Sequence, residues 1–106
     1  EQQLYEYDEY KLQIRRLDFG KKRGIYEFST YDPETKDTPP SWGLHPYAEV
    51  GVVLEGKMEV NLDGTVYLLG PGDSIYIKPN LYHTMRNAGD TPCRSFWHLQ
   101  IMDDSV

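Results

Sequence analysis

Cysteine is nearly absent from this sequence: Cys93 is its single thiol. That excludes an internal disulfide and points to a reducing compartment. No histidine neighbours Cys93 in sequence, so it reads as a small packing residue rather than a nucleophile. Positive charge is also scarce. Eleven Lys and Arg face 17 Asp and Glu, for a net charge of −6. The densest basic group is Arg15, Arg16, Lys21, Lys22 and Arg23. Asp18 dilutes it and Glu27 follows it, so it reads as a solvated edge with a turn across residues 20–24. Neutralising phosphates needs a basic stripe, so nucleic-acid binding by this chain itself is excluded. No apolar run approaches the roughly 20 residues of a membrane-spanning helix. The N-terminal stretch EQQLYEYDEYK has no apolar core of the kind a signal peptide carries, so a cytoplasmic location is expected. The first residue is not Met, which fits either a trimmed chain or a domain cut from a longer protein. Helical periodicity is missing as well: no window sustains an apolar stripe at i, i+3, i+4 and i+7 between caps.

What the sequence does have is alternation. With 106 residues, 39% hydrophobic and 13% aromatic, the composition is globular and sized for one domain over residues 1–106. Strand-like runs recur along it: YKLQIRRL, GIYEFSTY and KMEVNL alternate, EVGVVL is a short β-branched run, and TVYLL, DSIYI, YHTMRN and RSFWHLQI complete the set. Turn signals separate them. Asp63-Gly64 accepts the positive φ angles of a two-residue type I′ hairpin. Pro71-Gly72-Asp73 and the stretch NAGDTP mark two further turns. Pro33, Pro39 and Pro40 keep residues 32–43 out of regular structure, so this stretch reads as a loop. Many short strands at this spacing predict an all-β protein, a sandwich or a barrel.

Within that frame the stretch HPYAEVGVVLEG stands out. His45 precedes Glu49 by four positions, and both would share a face if the segment stays extended. A carboxylate turned into a barrel cannot stay charged and unpaired. It needs a cation, a proton or donors. Arg86 or Arg94 could satisfy Glu49 alone, whereas a metal would satisfy Glu49 together with His45 and His83. Two imidazoles and one carboxylate suit Fe, Mn, Ni, Cu or Zn, with other coordination positions left open.

These residues carry a resemblance. The segment GLHPYAEVGVVLEG, from Gly43 through His45 and Glu49 to Gly56, resembles the first motif of the cupin family, G-x5-H-x-H-x3,4-E-x6-G. The segment GDSIYIKPNLYHTMRN, from Gly72 through His83 to Asn87, resembles the second, G-x5-P-x-G-x2-H-x3-N. The motifs cover residues 43–87, with N-terminal strands expected over 1–31. The resemblance implies an antiparallel jelly-roll β-barrel and a metal site formed by His45, Glu49 and His83. Two departures stand in the motifs. The first histidine of the pair is Gly43 here, and glycine cannot coordinate. The second motif's proline and glycine are Lys78 and Asn80, with Pro79 between them. Asn tolerates the left-handed conformation, so that turn is expected to survive.

Four further side chains are candidates for the pocket. His98 reads as a hydrogen-bonded core histidine or, if its face of RSFWHLQI points inward, as a fourth ligand or acid–base group, and Phe96 shares that face. Tyr47 and Met85 flank the expected ligands. For the aromatic residues and methionines, core packing is the default reading. Three functions fit: a metal-dependent enzyme acting on a small, anionic metabolite, a metal-free or metal-assisted ligand-sensing effector domain like those of bacterial transcriptional regulators, or a metal-free binder that stores a metabolite. A homodimer is expected from the resemblance and from the strand-like segment YEYDEYKLQI, which could cover a sheet edge.

Overall fold

Each of the eight strand-like runs contributes a strand. A computed structural model describes residues 3–9, 12–20, 24–35 and 42–101. Among these, β1 (Gln3–Glu9), β2 (Leu12–Asp18), β3 (Ile25–Tyr31), β4 (Trp42–Gly43) and β5 (Ala48–Glu55) lead to β6 (Met58–Leu62), β7 (Thr65–Leu69), β8 (Ser74–Ile77), β9 (His83–Asn87) and β10 (Cys93–Gln100). The strand β4 closes the stretch expected to be loop. Two antiparallel sheets result, ordered β1-β2-β3-β10-β5-β8 and β4-β9-β6-β7. They pack face to face as the expected all-β jelly-roll barrel. Among the described residues, no helix is long and apolar enough to cross a membrane.

The turns follow their residues. Leu62 pairs with Thr65, leaving Asp63 and Gly64 as a two-residue loop. Both have positive φ, 48° and 99°, as a type I′ turn requires. Asp73 N–H donates to Gly70 O across Pro71-Gly72. At the end of β9, Asn87 Nδ2 donates to Tyr31 O and Thr91 O, while its Oδ1 accepts from Gly89 N–H. One buried amide thereby ties the 87–92 turn to the end of β3.

Alternation decides what lies between the sheets. On β10, Cys93, Ser95, Trp97 and Leu99 are buried, and on the other face Arg94 and Gln100 are exposed. Trp97 lies over Gly51, its cross-strand partner on β5. A Cβ on Gly51 would sit 2.4 Å from the indole ring, so glycine is what lets the ring seat there. Ile25, Val53, Met58, Val60, Ile77, Cys93, Trp97 and Leu99 form the core. Burial pushes the Cys93 thiol pKa up, which keeps it protonated and fits the packing role expected for it.

The basic group near the N-terminal strands is not uniformly solvated. Arg16 on β2 donates through Nε to Glu27 Oε2 on β3 at 2.7 Å, and Glu27 is buried. The pair satisfies a carboxylate on the inward side of the sheet, so Arg16 is structural. Lys21, Lys22 and Arg23 lie outside the described residues, as do residues 36–41 of the proline-rich stretch. The N-terminal strand β1 runs along β2 of the same chain, from Gln3 opposite Asp18 to Glu9 opposite Leu12.

Candidate metal centre

At one end of the barrel both sheets contribute polar side chains to the interior. Glu49 comes from β5 in the six-stranded sheet, between Leu99 and Ile77 of its neighbouring strands. It shares the inward face with Gly51 and Val53. His83 opens β9 in the four-stranded sheet, opposite Leu62 and Gly43. His45 lies in the connection between β4 and β5. The segment is not extended there: it bends at Pro46 and Tyr47. His45 therefore meets Glu49 by the chain folding back rather than by strand alternation. Asn80 N–H donates to His45 O at 2.7 Å and fixes that bend. Asn80 has φ 60°, so the left-handed turn of the second motif survives the loss of glycine.

One donor atom from each of His45, Glu49 and His83 lies within 4.8 Å of the others. Bonds of about 2.1 Å to a shared ion would draw the three donors closer together than this. Glu49 and His83 are only 6% and 3% exposed. His83 Nδ1 sits 2.9 Å from Leu81 O. A carbonyl only accepts, so Nδ1 carries the hydrogen and Nε2 is left to face the site. Nε2 lies 3.2 Å from Glu49 Oε2, yet neither atom has an aligned hydrogen-bond partner. When the imidazole is neutral, two electron-rich buried atoms face each other. Only a cation between them relieves this, either a proton or a metal ion. The carboxylate beside it holds the His83 pKa above its ordinary value, with the Leu81 carbonyl adding to the effect and burial opposing it. The backbone anchor at Nδ1 is also the arrangement that orients a metal-binding imidazole. The donor set, two nitrogens and a carboxylate, fits a divalent transition metal.

The arginines expected as alternatives do not reach Glu49. Arg86 donates to Glu34 Oε1 at 2.6 Å, and Arg94 is exposed on the opposite face of β10. Of the other candidates, Tyr47 stacks on His45 with ring centroids 5.0 Å apart. Met85 is two residues beyond His83 on β9, on the same inward face, packed against the core. His98 and Phe96 are elsewhere. The inward positions of β10 are odd-numbered, so both lie on the outer face. There His98 stacks on Tyr26 at 4.8 Å, and Phe96 packs on Phe28 at 4.7 Å and Tyr26 at 5.8 Å. Among the described residues, no fourth His, Cys, Asp or Glu joins the three. Sequence reasoning did not anticipate the Leu81 carbonyl, since a backbone acceptor leaves no signature in side-chain spacing. It flagged Asn80 only as a turn.

A family model for the cupin domain matches residues 27–99, which hold both motifs and the three converging side chains. The chain belongs to the cupin family. Over 56 residues this cupin is 41% identical to the polyketide synthase CurC of Streptomyces cyaneus, spanning 52% of this chain and 36% of that protein. It spans between 16% and 41% of the length of the curated relatives it matches. An RmlC-like cupin from Shewanella frigidimarina has the same fold, with a TM-score of 0.74 at 23% identity over 98% of this chain and 90% of that one. So does the cupin domain of an XRE family transcriptional regulator from Enterobacter cloacae, with a TM-score of 0.75 at 16% identity over 88% and 99%.

Proposed function

We propose that this cupin holds one divalent transition metal through His45, Glu49 and His83, and binds a small anionic metabolite at the remaining coordination positions. The observation that carries this reading is the pair of buried atoms, His83 Nε2 and Glu49 Oε2, that face each other without a hydrogen bond. A proton can serve two of the three donors, whereas a metal serves all three. A metal bound there would supply Lewis-acid polarisation of a carboxyl or carbonyl oxygen. The protein's own residues orient the ligands: Leu81 O sets the His83 tautomer, Asn80 N–H holds the His45 loop, and Tyr47 covers the His45 ring.

Ligand sensing is the second reading. It is favoured by the cluster containing no further His, Cys, Asp or Glu among the described residues. We place the protein in the cytoplasm as a homodimer. The outer face of the six-stranded sheet, with Tyr26, Phe28, Phe96 and His98, supports a two-fold contact that sets one apolar patch against its copy. Sedimentation of the wild type against Phe28→Glu tests that contact: a dimer that becomes a monomer is expected, and a wild-type monomer would refute it.

Metal analysis of untagged protein purified without chelators tests the main reading. Near-stoichiometric Fe, Mn, Ni, Cu or Zn is expected, lost in His83→Ala with the fold retained by circular dichroism. Equal metal in both proteins, or none in either after reloading, would overturn it. Turnover of a small acid by the loaded protein would then separate enzyme from sensor.

A further inference from the structure

The outermost strands are β1 and β8 on one sheet, β4 and β7 on the other. Such edges are ordinarily kept short, charged or broken by proline, because their open backbone groups template further pairing. The strand β4 has two residues, and β8 has four and runs on to Lys78 and Pro79. The strand β1 carries Glu6, Asp8 and Glu9. The strand β7, TVYLL, has none of these devices: its five residues include no charge, proline or glycine and stay in unbroken register with β6. On its outer face Val66 and Leu68 are 52% and 71% exposed.

The backbone of β7 shows what fits there. Asp63 N–H donates to Tyr82 O at the end of the β6–β9 pair. Alternation then turns the backbone groups of Asn61 and Glu59 toward β9, and those of Leu62, Val60 and Met58 toward β7. Their partners Thr65, Tyr67 and Leu69 are thereby engaged. Val66 and Leu68 present N–H and C=O to the open side, where among the described residues no hydrogen bond reaches them. These free groups lie symmetrically about Tyr67, so the strand is complementary to its own copy. Antiparallel pairing centred on Tyr67 sets Val66 of each copy against Leu68 of the other, each pair exchanging both N–H···O bonds. The two tyrosines meet at the non-hydrogen-bonded site, where side chains come closest and aromatic pairs stabilise a sheet. No like charges meet on the strand. A two-fold pairing also closes on itself and leaves neither edge open. We propose that β7 is an interaction surface for a second copy of this chain, paired antiparallel about Tyr67 so that the two four-stranded sheets run on as one. Five residues a side fall far below the roughly 20–30 of a stand-alone interface, so the contact is weak alone and adds to the aromatic-face contact rather than replacing it.

Disulfide trapping of the full chain in concentrated solution tests the register, with the buried Cys93 as an internal bystander. Cross-strand Cα separations of about 4.5 Å at the Tyr67 pair and about 5.5 Å at the Val66–Leu68 pairs both suit a disulfide, whereas each Val66 is too far from the other Val66. Tyr67→Cys is expected to cross-link to a dimer at least about tenfold faster than Val66→Cys or Leu68→Cys alone. An equimolar mixture of the last two should cross-link as a pair, a result that does not depend on replacing Tyr67. Adding Leu68→Lys to Tyr67→Cys should slow trapping by a similar factor, with the circular dichroism unchanged. Equal rates for Tyr67→Cys and Val66→Cys, or a mixture no faster than its parts, would overturn the proposal. Sedimentation then separates this contact from the aromatic-face one. Cross-linked Tyr67→Cys should be a tetramer or larger, and the same protein carrying Phe28→Glu a dimer. A cross-linked dimer in both would remove the aromatic-face contact and leave the edge pairing standing.

Discussion

His83 and His98 occupy opposite sides of the same barrel wall system, and each contacts another ring. His83 is 3% exposed between the sheets, its Nδ1 pinned by a carbonyl and its Nε2 left facing a carboxylate. His98 lies outside, stacked nearly parallel on Tyr26 at 22° within a row of rings that includes Phe96 and Phe28. The interior end of the barrel thus collects charge, while the outer face of the six-stranded sheet collects aromatic surface. Both run against the ordinary partition of side chains, in which a buried polar group or an exposed apolar patch is the informative case. The difference between the two histidines is one of strand parity. An even position on β10 looks out, and the first position of β9 looks in.

Substitutions that respect this division sharpen it. The largest effect is expected from Glu49→Gln, which keeps shape but removes the charge. Metal affinity should fall by at least about a hundredfold, in line with the several kcal/mol lost on breaking a buried charged contact. His98→Gln should leave it within about twofold. Competition against a chelating indicator measures both, and a comparable loss in the two variants would erase the distinction between the faces. Next comes Gly51→Ala. Its methyl would meet the Trp97 ring at 2.4 Å on the inward face. Overpacking of this kind costs about 1–3 kcal/mol. The urea midpoint should drop accordingly, and an unchanged midpoint would mean the indole is not seated as described.

The strands were legible because period-two alternation is a local property, and Asp63-Gly64 was legible because few dipeptides accept positive φ twice. The three converging donors were legible through motif spacing. The outward direction of His98 was not. On β10 both faces carry bulky apolar side chains, Phe96 on one and Trp97 and Leu99 on the other, so alternation fixes the strand without saying which parity is buried. Glu34 and Arg86, which pair in the fold, lie far apart in sequence, so nothing local showed that Arg86 was already engaged. The bend at Pro46-Tyr47 was also hidden. The three residues that converge were chosen from an extended geometry that the chain does not adopt.

Smaller effects separate the faces further. His98→Ala should cost about 0.5–1.5 kcal/mol, the usual worth of a ring–ring contact, with no change in metal binding. Thermal melts of metal-free and loaded protein read the two halves of that expectation.

Acidity offers the finest discrimination, because the inner histidine, His83, has a raised pKa, imposed chiefly by Glu49. A group protonated more readily in the fold than in the unfolded chain adds stability below its unfolded pKa, about 6.5. That contribution disappears as pH rises through the higher folded value. The metal-free protein should therefore lose this increment on going from below pH 6.5 to above the raised pKa. Metal requires the imidazole without its Nε2 proton, so binding expels that proton and weakens as pH falls through the same window. Metal-dependent stabilisation should grow with pH while the intrinsic increment shrinks. Glu49→Gln should flatten the metal-free trend. Melting curves across the window, with and without metal, would contradict the assignment if Glu49→Gln kept the wild-type slope, since the carboxylate is the main cause of the shift.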